Sequence, residues 1–197
     1  ALAEALPIFT NDQISDQLTS GYWGGSTRRW NVAPGGTITV NLTGLTTEGQ
    51  FLAREALNLW TDVTGINFSE ITTSAQITFD DNESGAFAGG STSNGFFTGN
   101  SRVNVSTDWL TNYGTTLNTY SFQTYIHEIG HALGLGHQGF YNLVGDFGAD
   151  REFDNDSWQS SMMSYFAQTE NFHVVADLAL LQSPMAVDWM ALDDLYA

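Results

Sequence analysis

Cysteine is absent from this chain of 197 residues. Without cysteine there are no disulfides and no thiolate ligands, so any bound metal must use His, Asp, Glu or Tyr. Because there is no cysteine, the sequence does not indicate whether the protein works in an oxidising or a reducing compartment. No apolar run is long enough to span a bilayer, and the first residues, ALAEALPIF, lack the basic start and apolar core of a signal peptide. If the protein is exported, we expect this chain to belong to its mature part.

Positive charge is also scarce. Twenty-two acidic residues face five basic ones, all of them arginine, and the formal net charge is −17. Such a field repels phosphate backbones and anionic lipids, so we expect neither nucleic acid nor a membrane surface as a partner. The well-hydrated surface of a secreted or salt-exposed protein explains the charge without a specific role. The clusters Asp80 to Glu83 and Asp146 to Asp156 also offer oxygen ligands to calcium, although neither matches an EF-hand.

The length and an apolar fraction of 42% predict a single domain over residues 1–197. Hydrophobic residues recur with helical or strand periodicity in several segments separated by turn residues. The predicted helices cover residues 10–21, 47–65 and about 118–133, and the predicted strands cover 37–42, 66–71, 76–80 and 102–106. This order predicts a mixed fold of helices around one sheet.

Two further segments carry expectations about packing. Residues 83–101 are rich in Gly, Ser and Asn, which favours a loop with at most one edge strand. In the last predicted helix, Met185, Trp189, Leu192 and Tyr196 share one face. We therefore expect these four side chains to lie in the core.

The segment HEIGHALGLGH, residues 127 to 137, contains three of the four histidines. His127 and His131 lie one helical turn apart, opposite the apolar stripe of the helix, so both imidazoles can reach one tetrahedral metal ion. Gly134 can adopt the positive φ that ends a helix and turn the chain so that His137 returns to the same ion. Three neutral nitrogen ligands leave one position open for water, which is typical of a catalytic zinc site.

Glu128 follows the first of these ligands and is expected to project beside the metal. There it would act as a general base, taking a proton from the zinc-bound water and later passing it to a leaving amine, while zinc polarises the scissile carbonyl. The alternative is a helix that carries these residues by chance. Because five positions are specified within eleven residues, a chance match is rare.

The pattern HExxHxxGxxH is the signature of the metzincin metalloproteases, and other segments narrow the resemblance. SMMSY (161 to 165) resembles their Met-turn, and a tyrosine at its end is typical of the serralysin and astacin branches. HEIGHALGLGHQGFYN, SPMAVDWMALDDLYA and DQISDQLTSGYWGGSTRRW also resemble serralysin catalytic domains. The chain is therefore similar to a serralysin-type metzincin zinc protease over nearly its whole length, with residues 80 to 115 the least distinctive part.

The resemblance implies an α+β metzincin fold. A twisted mixed β-sheet and the motif helix would form an N-terminal half, residues 1–137, and the Met-turn and final helix would form a smaller C-terminal half, residues 138–197. We expect the active-site cleft between the halves, with substrate extended along an edge strand. The substrate-binding residues expected there are Gly85, Ala86, Phe87 and Ala88.

The resemblance also implies roles for single residues outside the histidine motif. Tyr165 would be a fifth zinc ligand at rest that swings away to hydrogen-bond the tetrahedral oxyanion; without the resemblance it would be interpreted as a half-buried aromatic. Met163 would pack beneath the ligands without taking part in the chemistry, and Asp188 would brace the Met-turn. His173 is expected to be a surface or hydrogen-bonded side chain.

Two features depart from the serralysin pattern. Serralysins continue into glycine-rich calcium repeats that carry the export signal, but this chain stops at residues 195–197 and contains no such repeat. Either the repeats were removed or the catalytic domain stands alone, so calcium dependence and the export route stay open. Val187 stands where the first of two adjacent aspartates is usual, which should affect bracing more than chemistry.

These observations predict a secreted, extracellular zinc endopeptidase that cleaves internal peptide bonds. Its expected cofactor is Zn²⁺, with Ca²⁺ as an open second cofactor, and its expected partners are protein or peptide substrates and a proteinaceous inhibitor of the monomeric enzyme. One alternative is a binding module with a structural metal, against which Glu128 and Tyr165 argue. The other is a zinc hydrolase of short peptides or amides, from which a wide, extended cleft would distinguish an endopeptidase.

Overall fold

The computed structural model describes residues 5–197, with every side chain in that range except that of Val63. Residues 1–4, the start of the predicted N-terminal half, lie outside the described residues. The strands are β1 (Thr37–Gly44), β2 (Asn67–Glu70), β3 (Ile77–Asp80), β4 (Ala86–Ser93) and β5 (Phe96–Val105). The α-helices are α1 (Asn11–Asp16), α2 (Thr47–Thr64), α3 (Thr107–Tyr113), α4 (Tyr120–Leu133), α5 (Phe147–Asp150) and α6 (Ala186–Tyr196), and a π-helical turn, Gln17–Gly21, extends α1.

The five strands form one mixed sheet in the order β2-β1-β3-β5-β4. Strands β2, β1, β3 and β5 run parallel to one another. The edge strand β4 pairs antiparallel with β5. Parallel strands are usually buried, and the alternating apolar residues of the three inner strands are buried here. They are Ile38, Val40, Leu42, Ile77, Phe79, Val103 and Val105. The polar, glycine-rich β4 is left at one edge, facing the cleft.

The motif helix α4 is held between the sheet and α2. It begins after Thr119 and ends at Gly134, whose φ is 119°, and its apolar face is buried. The indole N–H of Trp60 on α2 donates to the Ile126 carbonyl on α4 at 3.1 Å, and both residues are fully buried. Because α2 fills the side of α4 that carries Ile126 and Ile129, the histidines of α4 face the other way.

The edge strand allowed for within residues 83–101 is present as β4, but the loop predicted for the rest of this segment is mostly strand. This segment contains the whole of β4 and the first part of β5, joined by the two-residue turn Asn94–Gly95. Both turn residues have positive φ, 51° and 80°, as a type I′ hairpin turn requires, and Asn-Gly is the sequence that favours such a turn. The glycines and serines of β4 hid the alternation by which a strand is recognised.

The prediction of a buried face on the last helix is only half correct. Leu192 and Tyr196 are buried, but Trp189 is 55% exposed. Asp188, one residue earlier, is fully buried. Val187, Asp188, Ala191 and Leu192 define the inner side of the helix, and at 100° per residue Trp189 lies outside that arc.

Helix α6 packs against the first elements of the chain. Tyr196 accepts a hydrogen bond from the Trp30 backbone N–H at 3.0 Å and donates to the Leu133 carbonyl at 2.7 Å. Ser15 on α1 donates to Asp194 at 2.9 Å. The C-terminal helix therefore anchors the end of α4. Within residues 5–197, every helix is too short or too polar to cross a bilayer.

Candidate active site

Three imidazoles converge at the C-terminal end of α4. His131 Nε2 lies 3.1 Å from His127 Nε2 and 2.9 Å from His137 Nε2. His127 and His131 come from successive turns of α4, and His137 arrives after the chain turns at Gly134. A β-carbon at Gly134 would overlap the carbonyl oxygen of Arg28, so this turn has room only for glycine. The structure thus brings together the three ligands that the sequence predicts.

The protons on these rings are determined by backbone carbonyls. The Nδ1 atoms of His127, His131 and His137 lie 2.8 to 2.9 Å from the carbonyl oxygens of Met162, Leu135 and Tyr141, respectively. Because a carbonyl only accepts, each Nδ1 carries the proton and each Nε2 presents a lone pair.

The Nε2 lone pair of His131 lies about 3 Å from those of His127 and His137, and all three lie within 4.8 Å of one another, so they repel unless a cation lies between them. Two nitrogens that each lie about 2.0 to 2.1 Å from one zinc ion are separated by roughly 3 Å. The donor set, its tautomers and its spacing therefore fit zinc.

Burial keeps the three histidines neutral at pH 7. It lowers the pKa of His127 to about 4 and, together with the charge of His127, that of His131 to about 3. Burial and the two neighbouring imidazoles also hold the pKa of His137 well below its ordinary value. Neutral imidazole is the form that binds a metal, so these rings need no deprotonation at neutral pH.

Glu128 lies beside the ligands in the same cleft. Its side chain is 7% exposed, and burial raises its pKa to about 8. Among the described residues, none donates a hydrogen bond to this carboxylate. A neighbouring cation favours the charged form, so zinc would counteract the effect of burial and leave a carboxylate able to accept a proton.

The segment 161–164 supports the ligands from below, where Met163 is fully buried beneath α4. A β-carbon at Gly130 would lie 2.7 Å from Met163 Sδ, so helix and methionine are in direct contact. Asp188 accepts hydrogen bonds from the Met162 backbone N–H at 2.8 Å and from the Ser161 hydroxyl. Because the Met162 carbonyl orients His127, Asp188 is linked to a predicted ligand through the backbone of a single residue.

Asp156 is a site residue that the sequence interpretation missed. It is fully buried, the Tyr141 hydroxyl lies 3.1 and 3.2 Å from its two oxygens, and Ser164 donates to it at 2.6 Å. Burial raises its pKa to about 7 although both hydroxyls favour the charged form. Since the Tyr141 carbonyl orients His137, Asp156 supports the third ligand as Asp188 supports the first.

Tyr165 lies half-buried against the ligands. Its ring centroid is 4.4 Å from that of His137 and 5.9 Å from that of His127. The Leu143 backbone N–H donates to its hydroxyl at 3.3 Å. Burial raises the pKa of Tyr165 to about 12, so the hydroxyl is protonated at neutral pH and can donate.

The cleft around these groups has a volume of about 620 Å³. The four residues predicted to bind substrate, 85–88, line it along the start of β4, together with the histidines and residues 142–145. Three aromatic residues that were not predicted to bind substrate also line it: Trp109, Tyr120 and Trp158. They come from three separate segments, so no local sequence pattern predicts that they line the same cleft.

The acidic clusters considered for calcium form other contacts. Asp80 and Glu83 both pair with Arg102. Asp154 pairs with Arg151 at 3.0 Å, and His173 lies 3.1 Å from the same carboxylate oxygen, as expected for a hydrogen-bonded histidine. Across residues 5–197, the histidine triad is the single group of metal-binding side chains whose ligand atoms lie close enough to hold one ion. Calcium stays a prediction without a formed site in this part of the chain.

Comparison with known proteins agrees with this geometry. The sequence profile of peptidase family M10, described as matrixin, matches residues 39–142, more than half of the chain. The chain belongs to the matrixin family of peptidases. The match extends from β1 through the three histidines and therefore includes the ligands and Glu128. It confirms the predicted relationship to metzincin zinc metalloproteases and, at the level of the family, zinc as the cofactor.

Similar sequences place this matrixin domain beside the serralysins. It is 32% identical to the metallopeptidase AprA of Pseudomonas marginalis over 180 residues, which cover 80% of this chain and 37% of that protein. It is 37% identical to serralysin C of Dickeya chrysanthemi over 143 residues, which cover 60% of this chain and 27% of that protein. The serralysin-type resemblance is thus confirmed, and the chain spans about a third of the length of these relatives.

Solved structures confirm the predicted fold class. Myroilysin superposes with a TM-score of 0.51 at 18% identity, covering 85% of this chain and 95% of that one. High choriolytic enzyme 1, a hatching enzyme zinc-protease from Oryzias latipes, gives 0.53 at 15% identity, covering 85% and 94%. At such low identity these matches demonstrate a shared α+β fold.

Proposed function

We propose that this matrixin domain is the catalytic part of a secreted zinc endopeptidase that hydrolyses internal peptide bonds of proteins. One observation carries the proposal. Three Nε2 lone pairs lie within 4.8 Å of one another in a cleft that also contains a carboxylate with no hydrogen-bond donor among the described residues. A purely structural metal site needs neither the cleft nor the carboxylate.

In the proposed reaction, one side chain transfers a proton and another stabilises the charge that develops at the scissile bond. Zinc bound by His127, His131 and His137 supplies the Lewis-acid chemistry that lowers the pKa of water and polarises a carbonyl. A carboxylate oxygen of Glu128 takes the proton of the attacking water and delivers it to the leaving amine nitrogen. The Tyr165 hydroxyl donates a hydrogen bond to the developing oxyanion.

The edge strand β4 supports an extended substrate. It pairs with β5 on one side only, so the backbone N–H and C=O groups of its other side can pair with a peptide. The residues predicted to bind substrate, 85–88, lie at the end of β4 nearest the ligands. A cleft that accepts a strand favours a polypeptide substrate over a short amide.

The remaining parts of the proposal concern the setting of the enzyme. We propose an extracellular monomer whose partners are protein or peptide substrates and a proteinaceous inhibitor, with no nucleic-acid or membrane partner. The net charge of −17 supports the last point because it repels phosphate and anionic lipid.

The decisive experiment measures peptide release from an unfolded protein substrate. Wild-type activity is expected to disappear on treatment with a zinc chelator and to return when zinc is added. The variant Glu128→Gln keeps the shape of the side chain but cannot accept the proton, so its kcat should fall by about 10² to 10⁴. It should still bind one equivalent of zinc.

Two outcomes would contradict the proposal. Activity that survives both metal removal and Glu128→Gln would exclude the mechanism. Zinc bound at one equivalent without any peptide release would favour the binding module. Product lengths test the remaining alternative, since an endopeptidase releases internal fragments whereas a hydrolase of short amides leaves the protein substrate intact.

A further inference from the structure

A second cavity lies at the opposite end of β4 from the ligands. It has a volume of about 580 Å³ and is bounded by the loop 23–28 on one side and the end of the β4–β5 hairpin on the other. The lining residues are Trp23, Ser26, Thr27, Arg28, Thr92, Asn94 and Gly95. The wall is thus polar, with one aromatic ring and one cation.

Arg28 differs from the other four arginines of the chain because each of those has a hydrogen-bond or ion-pair partner. Arg54, Arg102 and Arg151 each form an ion pair with a carboxylate. Arg29 donates to the Leu195 carbonyl at 2.8 Å. Within residues 5–197, no carboxylate lies within ion-pair distance of the Arg28 guanidinium, and no described acceptor takes a hydrogen bond from it.

The guanidinium of Arg28 is nevertheless held in place. Its Cζ lies 3.6 Å from the centroid of the Trp23 ring, a cation–π contact. The Trp23 indole N–H donates to the Gly134 carbonyl at 2.9 Å, so the ring is fixed to the end of α4. A guanidinium whose face covers a ring keeps its N–H donors at the edge, where a carboxylate can accept two of them.

Aromatic rings link the second cavity to the proposed metal site. The ring centroid of Tyr22 is 5.1 Å from that of His137 and 4.6 Å from that of Trp23. A row of rings therefore leads from the third ligand to Arg28. The row is no longer than about four residues of an extended peptide, which rises about 3.3 Å per residue.

The edge strand joins the same two places. Ala88 of β4 lines the active-site cleft, and Thr92, four positions later, lines the second cavity. A peptide that pairs with β4 over the ligands would therefore continue past Arg28. Antiparallel pairing, which is the commoner arrangement, brings the N-terminal side of the peptide to this cavity.

We propose that this cavity is a substrate subsite for an acidic side chain, with Arg28 as its cation, on the N-terminal side of the cleaved bond and within about four residues of it. The inference rests on the proposed function. The net charge of −17 disfavours acidic peptides elsewhere on the surface. Because Arg28 has neither a carboxylate nor a hydrogen-bond acceptor within residues 5–197, its charge makes acceptance of Asp or Glu local to this position.

The test compares fluorogenic peptides that differ only by Glu or Gln, placed in turn at each position on both sides of a bond the enzyme cleaves. In the wild type, kcat/KM should favour Glu by about fivefold at one position on the N-terminal side, the size expected for a partly exposed ion pair. The preference should decrease in about 1 M salt, where charges are screened. In Arg28→Gln the Glu to Gln ratio at that position should fall to about one.

Arg54→Gln is the matched control, because it removes the same charge near β2, at the other edge of the sheet. It should leave the Glu to Gln ratio unchanged. A ratio that is equal in wild type and Arg28→Gln, or a preference confined to the C-terminal side, would overturn the subsite.

A binding measurement separates this inference from the proposed function. The affinity of zinc-loaded Glu128→Gln for the Glu and Gln peptides is compared with that of the double variant carrying Arg28→Gln as well. Tighter binding of the Glu peptide, lost in the double variant, supports the subsite even if no peptide is ever cleaved. Equal binding of both peptides refutes the subsite even if cleavage depends on zinc and Glu128 as proposed.

Discussion

Two buried aspartates hold the residues whose backbone carbonyls orient the proposed zinc ligands. Asp188 accepts from the Met162 N–H, and the carbonyl of the same residue accepts from His127. Asp156 accepts from the Tyr141 hydroxyl, and the Tyr141 carbonyl accepts from His137. Partners behind metal ligands determine ring orientation and tautomer, so both carboxylates act on the site without touching it.

Asp156 makes the folded state sensitive to pH. Burial raises its pKa from 3.8 to about 7. The folded state therefore holds the Asp156 proton more tightly than the unfolded state, and the associated stabilisation is present below about pH 4 and is lost as pH rises to about 7. In Asp156→Asn this titration is absent. The free energy of unfolding of the variant, relative to wild type, should therefore rise between pH 5 and pH 8.

Denaturant unfolding of the zinc-loaded proteins at several pH values measures this difference, and the titration of the histidines cancels because both proteins contain them. The exposed Asp62→Asn is the control and should show no such trend. A difference between Asp156→Asn and wild type that stays constant with pH would contradict the burial of a titrating carboxylate.

At the scale of secondary-structure elements, Gly130 determines how closely α4 approaches the segment beneath it. A β-carbon there would lie 2.7 Å from Met163 Sδ and 3.4 Å from the Trp60 ring. Alanine is the better helix former by about 1 kcal/mol. Overpacking a filled core costs about 1 to 3 kcal/mol, so we expect Gly130→Ala to destabilise the protein despite its helix propensity.

Thermal unfolding of Gly130→Ala, Met163→Ala and the double variant gives the coupling between the two positions. The double variant should be more stable than the sum of the two single effects, because removing the thioether makes room for the methyl group. Additive effects would show that the helix does not press on Met163.

The sequence predicted elements where a local pattern suffices. The α2 helix begins after Thr46, ends at Gly65 with φ of 70°, and nearly matches the predicted residues 47–65. Most of residues 83–101 was assigned to a loop because β4 contains little but small residues, although the Asn94–Gly95 turn is a local signal for the β4–β5 hairpin. The buried face of α6 was misjudged since Asp188, and not the largest apolar side chain, faces the interior.

At the scale of the whole molecule, zinc would connect distant parts of the chain. Two ligands lie on α4 and the third follows it, and their carbonyl partners reach as far as Met162. Ligand that binds only the folded state, at about 1,000 times its Kd, stabilises by about 4 kcal/mol, which corresponds to roughly 10 °C in Tm for a chain of this size. We expect that increase when zinc is added to the metal-free protein.

Differential scanning calorimetry with and without zinc measures the increase. His131→Ala should lose it, and His173→Ala, which removes a histidine outside the triad, should retain it. An equal increase in wild type and His131→Ala would place the stabilising ion elsewhere.

The sequence alone determined the metal-binding motif, because the spacing of the histidines on a helix and the glycine after it are local properties of a few consecutive residues. Tertiary structure decided what surrounds the motif. Asp156, the aromatic side chains of the cleft and the contacts of Trp23 with Arg28 and Gly134 depend on segments that lie apart in the chain. Trp23, for example, is hydrogen-bonded to a residue 111 positions away. Such contacts depend on how helices and sheet pack, and no period in the sequence encodes them.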